Sequence, residues 1–305
     1  MPQQYFGPYS EQYSDYANGG NANLGRFPLG HTLILPDGRE YKFTLNDGTV
    51  EVAGNLYQGV AALTGNTNQL VTTAAAIDAT AITATITTTI AAADIYAEGI
   101  AHVNDVTGEG YAYRIRRALS AGSAHASAAS TATLTVNLAP GENIQVALDT
   151  TSQVTFTRNR YHQVTIHLSP PTAQLSGVSP GVAAADRFYW SQVKGWAAVL
   201  CNLTLLAGNP VQPDIATNGA VESYKRRAQS GGTTILGVVP TVSSWTALLD
   251  QDGTATAFLV HNTVAAGVTI LVDITGPAAI NAPIIGTCIK ANASTDYALI
   301  DLMIA

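Results

Sequence analysis

Val71 to Asp94 reads VTTAAAIDATAITATITTTIAAAD, written almost wholly in Thr, Ala and Ile with no aromatic and no basic residue. From Ile82 to Ile90 the apolar Ile82, Ala84, Ile86 and Ile90 alternate with Thr83, Thr85, Thr87 and Thr89. A period of two belongs to a strand with one covered face. Thr and Ile are stiff at χ1 and fit a pleated surface, whereas a helix crowds them. The stretch therefore predicts a strand built for sheet packing rather than for chemistry.

The same rhythm extends in both directions. Upstream, Leu33 to Leu35 runs into the turn Pro36-Asp37-Gly38, then Tyr41, Phe43 and Leu45 alternate with Lys42 and Thr44 before Asn46-Asp47-Gly48. This predicts a hairpin or meander. Downstream, Tyr96 to Arg116 reads as two strands joined across Asp105 to Gly110, with Tyr111, Tyr113 and Ile115 on one face and Ala112, Arg114 and Arg116 on the other. Arg114 and Arg116 are expected to form a local salt-bridge stripe. Ala118 to Ser130 reads as a loop or short helix. Leu134, Val136 and Leu138 alternate with Thr133, Thr135 and Asn137, and Val164, Ile166 and Leu168 alternate with Gln163, Thr165 and His167.

Pro170-Pro171, followed by Ser176, Gly177, Pro180 and Gly181, marks a candidate linker, because adjacent prolines exclude a continuing central strand. Beyond it, Phe188 to Leu206 predicts a pair of apolar strands. Five more are expected at Ile235–Val239, Thr256–Val260, Val268–Ile274, Ile284–Ile289 and Tyr297–Ile304. The last reaches the terminus, so truncation there is expected to unpair an edge. The expected architecture is all-β: two β-sandwich or β-barrel domains with an extended N-terminal arm. The arm covers residues 1–27, the first β domain 28–169, the Pro/Gly linker 170–186 and the second domain 187–305.

The arm carries Tyr5, Tyr9, Tyr13 and Tyr16 among Gln, Asn, Ser and Gly. It has little with which to build a core, but disordered tails are poor in aromatics, so these rings are expected to anchor on another subunit. With Trp190 and Trp196 they form the candidate interface set, since Tyr and Trp are enriched at hot spots. For both tryptophans the alternative is a place in the second core.

Hydrophobic residues make up 47% of the 305 and charged residues only 11%, against roughly 25% charged in soluble domains. Ionic groups are depleted at interface centres, so this composition suits a surface occupied by neighbours. With 14 Lys and Arg against 21 Asp and Glu, the net charge is −7. Nucleic-acid binding needs a basic footprint, and the cluster Lys225, Arg226 and Arg227 is too small to supply one. Cys201 and Cys288 are too few for a disulfide framework and predict buried free thiols. The first twenty residues lack the cationic start and apolar stretch of a signal peptide. No run approaches the roughly 20 apolar residues of a membrane span. Cytoplasm-like conditions until assembly are the expectation.

Tests for chemistry fail one by one. Gly177-Val178-Ser179-Pro180-Gly181 matches the nucleophile elbow by letter, but the residue after the serine must donate its backbone N–H to an oxyanion and Pro180 has none. Asp250-Gln251-Asp252-Gly253 opens like a calcium loop without the closing Glu, and reads as a hairpin turn. The histidines His31, His102, His125, His162, His167 and His261 show no chelating spacing, and His162 and His167 fall on opposite strand faces. Ser230-Gly231-Gly232 has no helix pattern after it to present phosphate-binding amides. Carboxylates such as Asp105 with Glu109 and Asp47 with Glu51 sit in polar turns. The sequons at Asn202 and Asn292 carry no weight without a secretory route. No catalytic residue, cofactor or metal is assigned.

Phe27 to Phe43 (FPLGHTLILPDGREYKF), Ile95 to Arg116 (IYAEGIAHVNDVTGEGYAYRIR) and Tyr189 to Val211 (YWSQVKGWAAVLCNLTLLAGNPV) resemble segments of tailed-bacteriophage virion structural proteins. Ile285 to Ile304 (IGTCIKANASTDYALIDLMI) is similar to the closing barrel strand of head decoration, or cement, proteins. The resemblance implies a non-enzymatic protein on the outside of a phage head. Its expected partners are copies of itself, a trimer favoured, and the major capsid protein, with no nucleic acid or membrane. The chain departs from small decoration proteins in its length and Tyr-rich arm. A tail or fibre-associated receptor- or glycan-binding module, a minor capsid protein, or a hydrolase of host surface polymers stands as the alternative.

Overall fold

The computed structural model describes residues 4–14, 16–17, 27–87, 93–118, 124–126, 133–224, 283–290 and 296–304. The strands expected at Ile235–Val239, Thr256–Val260 and Val268–Ile274 lie outside these residues. So do Thr89, Ile90, Lys225 to Arg227, Ser230 to Gly232, Asp250 to Gly253, His261 and the sequon at Asn292.

The chain is nearly all β. In order the strands are β1 (Gln4–Phe6), β2 (Tyr16–Ala17), β3 (Thr32–Ile34), β4 (Glu40–Leu45), β5 (Leu56–Gln58), β6 (Gln69–Thr73), β7 (Ala81–Thr85), β8 (Ile100–Asp105) and β9 (Ala112–Arg114). There follow β10 (Thr133–Asn137), β11 (Gln153–Thr157), β12 (Thr165–Ile166), β13 (Leu175–Val178), β14 (Arg187–Leu200), β15 (Pro210–Pro213), β16 (Val221–Ser223), β17 (Gly286–Lys290) and β18 (Tyr297–Met303).

The Thr/Ile stretch behaves as its alternation predicts. Ile82, Ala84 and Ile86 are fully buried, while Thr83 on β7 faces Thr135 on β10 across the ladder with their hydroxyls 2.9 Å apart. This face belongs to a sheet ordered β10-β7-β6-β11-β8-β9. The sheet curls until its edges meet: Arg116 N donates to Asn137 O at 2.7 Å and Ala139 N to Arg114 O at 2.8 Å, flanking an Ile115–Leu138 bridge. Closure removes both unpaired edges at that end. Inside lie Val71, Val103, Tyr113, Leu134, Val136 and Phe156. The predicted turn from β8 to β9 is present.

The other sheet draws on both ends of the chain. Its principal order is β1-β3-β4-β14-β18-β17-β15-β16, with β5, β12 and β13 packed alongside and β2 on β14. β14 pairs with β4 on one side, Trp190 opposite Phe43, and with β18 on the other, Ala198 opposite Leu299. The chain therefore does not divide at residues 170–186. The curled sheet spans residues 69–157 as an insertion between β5 and β12, and the expected linker contains β13, buried at every residue and paired with β5 and β14. Pro170-Pro171 lies in the connection from β12 to β13, and both strands pair with β5, so the chain returns to the same sheet.

The arm also differs from expectation. In the described residues it lies on its own chain: β1 runs parallel to β3, Tyr9–Tyr13 forms a 3₁₀ turn, and β2 pairs with the start of β14. Tyr5 and Tyr16 pack against the core of Leu33, Phe43, Phe188 and Trp190.

Neither Arg114 nor Arg116 joins an ion pair among the described residues; their neighbour Arg117 does, Nε lying 3.3 Å from Glu98 Oε1. β12 is only two residues long because Gln163 adopts a left-handed φ of 52°, which breaks the alternation; His162 and His167 are both buried and Leu168 is exposed. Ser179 Oγ donates to Gly181 O at 2.6 Å in a turn after β13 rather than sitting on a strand-to-helix elbow. Cys201 and Cys288 are free and buried, as predicted.

Candidate functional site

β14 changes character along its length. From Phe188 to Val193 it is buried on both faces; from Lys194 onward one face opens, with Lys194, Trp196 and Ala198 exposed while Ala197 and Val199 stay buried. The switch falls at a bulge, where the β14–β4 register shifts between Gln192 and Lys194 and Gly195 takes φ 82°. A bulge bends a strand and re-aims its side chains. Gln192 holds this one: its Nε2 donates to Lys194 O (3.2 Å), Gly195 O (3.3 Å) and Trp196 O (3.0 Å). Gly195 is required for room as well, since a Cβ there would stand 2.8 Å from Arg39 Cγ.

The opened face is apolar. Leu200 pairs with Tyr297, Ala198 with Leu299, Trp196 with Asp301 and Lys194 with Met303. Trp196 is 59% exposed and Met303 63%. Thr287 faces Asp301 from β17, whose Ile289 is also exposed. A solvated antiparallel sheet normally alternates apolar-in with polar-out; here seven apolar side chains (Trp196, Ala198, Leu200, Ile289, Tyr297, Leu299 and Met303) share the outer side with Lys194, Thr287, Lys290 and Asp301, a largely apolar face left open among the described residues.

Beside this face lies a cleft of about 400 Å³, walled by Tyr13, Trp196 and Tyr297 and floored by Gln12, Arg39 and Gln192. Tyr297 rests on Gly54, where a Cβ would come within 2.7 Å of its Cδ1, and Tyr13 packs beside Gly181. The floor is a fixed network. Gln12 Oε1 accepts from Arg39 Nη1 at 2.9 Å and from the Tyr41 hydroxyl at 2.6 Å, and Gln12 Nε2 donates to Tyr9 O at 2.9 Å. Asp37 accepts from Arg39 Nε at 2.7 Å and, with its hydrogen bonds from Arg39, is held below the usual carboxylate range despite an opposing desolvation effect. Burial raises the Tyr41 hydroxyl well above its ordinary value, so it stays a neutral donor.

Among the described residues no carboxylate, imidazole, thiol or ammonium group lines the cleft. Its side chains can stack and exchange hydrogen bonds, through Tyr13, Trp196, Tyr297, Gln12, Gln192 and Arg39. Among the described residues no group of three or more His, Cys, Asp and Glu is placed to hold a metal ion.

The six candidate interface residues thus separate. Tyr9 and Tyr13 are exposed on the 3₁₀ turn, Trp196 is exposed on β14, and Tyr13 and Trp196 meet across one cleft. Trp190 has no exposed surface and is removed from any interface, its ring centroid 5.0 Å from Phe43 and 5.3 Å from Phe27. Tyr5 and Tyr16 belong to that same core. Reading the sequence missed Gln12, Arg39, Gln192 and Tyr297. Only Tyr297 left a trace: YALIDLM is apolar at both parities except for Asp301, the pattern of a strand with two apolar faces. Comparison with family models, curated proteins and solved structures finds no match to this chain.

Proposed function

We propose that the protein is a non-enzymatic structural component of a tailed-phage particle, a decoration protein that binds the outside of the head shell beside copies of itself and the major capsid protein. The largely apolar face that β14, β18 and β17 leave open among the described residues supports this reading most directly. Leaving Ile289 and Met303 in water and Leu200 and Leu299 half-buried forfeits part of the roughly 25 cal/mol per Å² that burial returns, and large exposed patches of this kind mark interaction sites. Low overall charge fits the same use, since a repeated coat contact of about 800 Å² per partner works best with few ions at its centre. Many such contacts act together, so a copy that loosens at one site is held by its neighbours.

The double variant L299K/M303K tests the face. Both positions point outward, so its melting temperature stays near that of the parent, while sedimentation shows loss of self-association and electron cryo-microscopy shows heads without it. Wild-type oligomers and full head occupancy in that variant would remove this face from the assembly. Copy number separates the readings of location: density covering the head supports decoration, and a few copies at the tail support adhesion.

A further inference from the structure

We infer that the cleft between the Tyr9–Tyr13 turn and strands β14 and β18 is a binding site for a neutral, hexose-based oligosaccharide. A pyranose ring offers an apolar C–H face and a rim of hydroxyls. It is held by flat aromatic surfaces beside planar donors and acceptors that are already ordered, so that binding does not have to fix them. The cleft supplies both. Tyr13 is 64%, Trp196 59% and Tyr297 42% exposed around one opening, three flat ring faces on which a sugar ring can stack. Beneath them, Gln12 and Gln192 are only 4% and 3% exposed, and their amides are locked by the bonds to Tyr9, Arg39, Tyr41 and the Lys194–Trp196 backbone.

Charge selects among ligands. Arg39 spends its Nε on Asp37 and its Nη1 on Gln12 and Tyr41, and its Nη2 has no partner among the described residues. The pair is close to neutral while still offering an N–H, which suits a sugar hydroxyl better than an anion. A protein anchor would instead meet a dry apolar floor. Among the described residues no carboxylate pair lines the cleft for glycoside hydrolysis, and the lining present serves to hold a sugar.

The full-length chain is titrated with maltohexaose, chitopentaose and laminarihexaose, followed by calorimetry and by tryptophan fluorescence. Expected is saturable binding of at least one at a Kd of about 0.1–1 mM, weakened about tenfold in Y13A and in W196A, the factor that about 1.4 kcal/mol represents. L299K/M303K keeps sugar binding while losing self-association, so the two sites fail separately. Absence of binding of all three sugars at about ten times that concentration overturns the inference. So does equal affinity in Y13A and the parent, or binding of a proline-rich peptide, but no sugar, at the same rings.

Discussion

Trp190→Ala lowers the free energy of unfolding by about 3–5 kcal/mol, the cost of a large cavity in a closed core. The indole is fully buried where three strands and the segment before β3 converge: Tyr5 of β1 at 6.4 Å between centroids, Phe27 at 5.3 Å and His31 at 6.5 Å from that segment, and Phe43 of β4 at 5.0 Å, with Trp190 itself on β14. Nothing of similar size can move into the space without leaving its own contacts. Urea denaturation gives the loss directly. Deleting residues 1–17 acts on the same core by removing Tyr5 and Tyr16, so it destabilises the fold and shifts tryptophan emission to the red. A loss below about 1 kcal/mol for Trp190→Ala would mean that the arm and the sheet do not share this core.

Stability peaks near pH 6.5 and falls on both sides, and Glu51→Gln removes most of the fall between pH 6.5 and about 8. Glu51 is 1% exposed and neither carboxyl oxygen makes a well-formed hydrogen bond; burial pushes it from 4.5 up to about 8, Asp47 adding to the rise and the Tyr57 hydroxyl opposing it. Its folded pKa is raised, so its contribution is complete below pH 4.5 and is lost as pH rises through 8. Burial acts in the opposite sense on His162 and His167, lowering them from 6.5 to about 3 and about 4. Their contribution is complete above pH 6.5 and is lost as pH falls toward those values. Between 4.5 and 6.5 the unfolded chain takes up protons at His162 and His167, with His31 and His125 shifted in the same sense, against those held by folded Glu51 and Glu98, so stability climbs with pH; above 6.5 the histidines no longer act, Glu51 dominates and stability declines. At pH 8 the glutamine variant is more stable than the parent by about 3–5 kcal/mol, at about 1.36 kcal/mol per pH unit, and near pH 5 the two are alike. Melting temperatures across that range decide it: parallel curves would show that Glu51 does not hold a proton in the folded state.

Chemistry at a single residue and the period of the backbone were legible in the sequence. The alternation through Ile82, Ala84 and Ile86 names the covered face of β7 because side chains leave a strand on alternate sides whatever the partner. Pro180 disposes of a serine elbow because proline lacks the N–H that an oxyanion needs. The all-β class follows from the same local reading. Where strands find partners was not legible: β4 and β14 are about 150 residues apart along the chain and pair because their apolar sides share one core, not through any signal near Pro170. Tertiary structure also decided which tyrosines face water, sending Tyr5 and Tyr16 inward and Tyr13 to the cleft. It formed the candidate site itself, since Gln12, Arg39, Gln192 and Tyr297 come from four separate segments and acquire a common purpose only when a glycine bulge in β14 turns Trp196 out beside them.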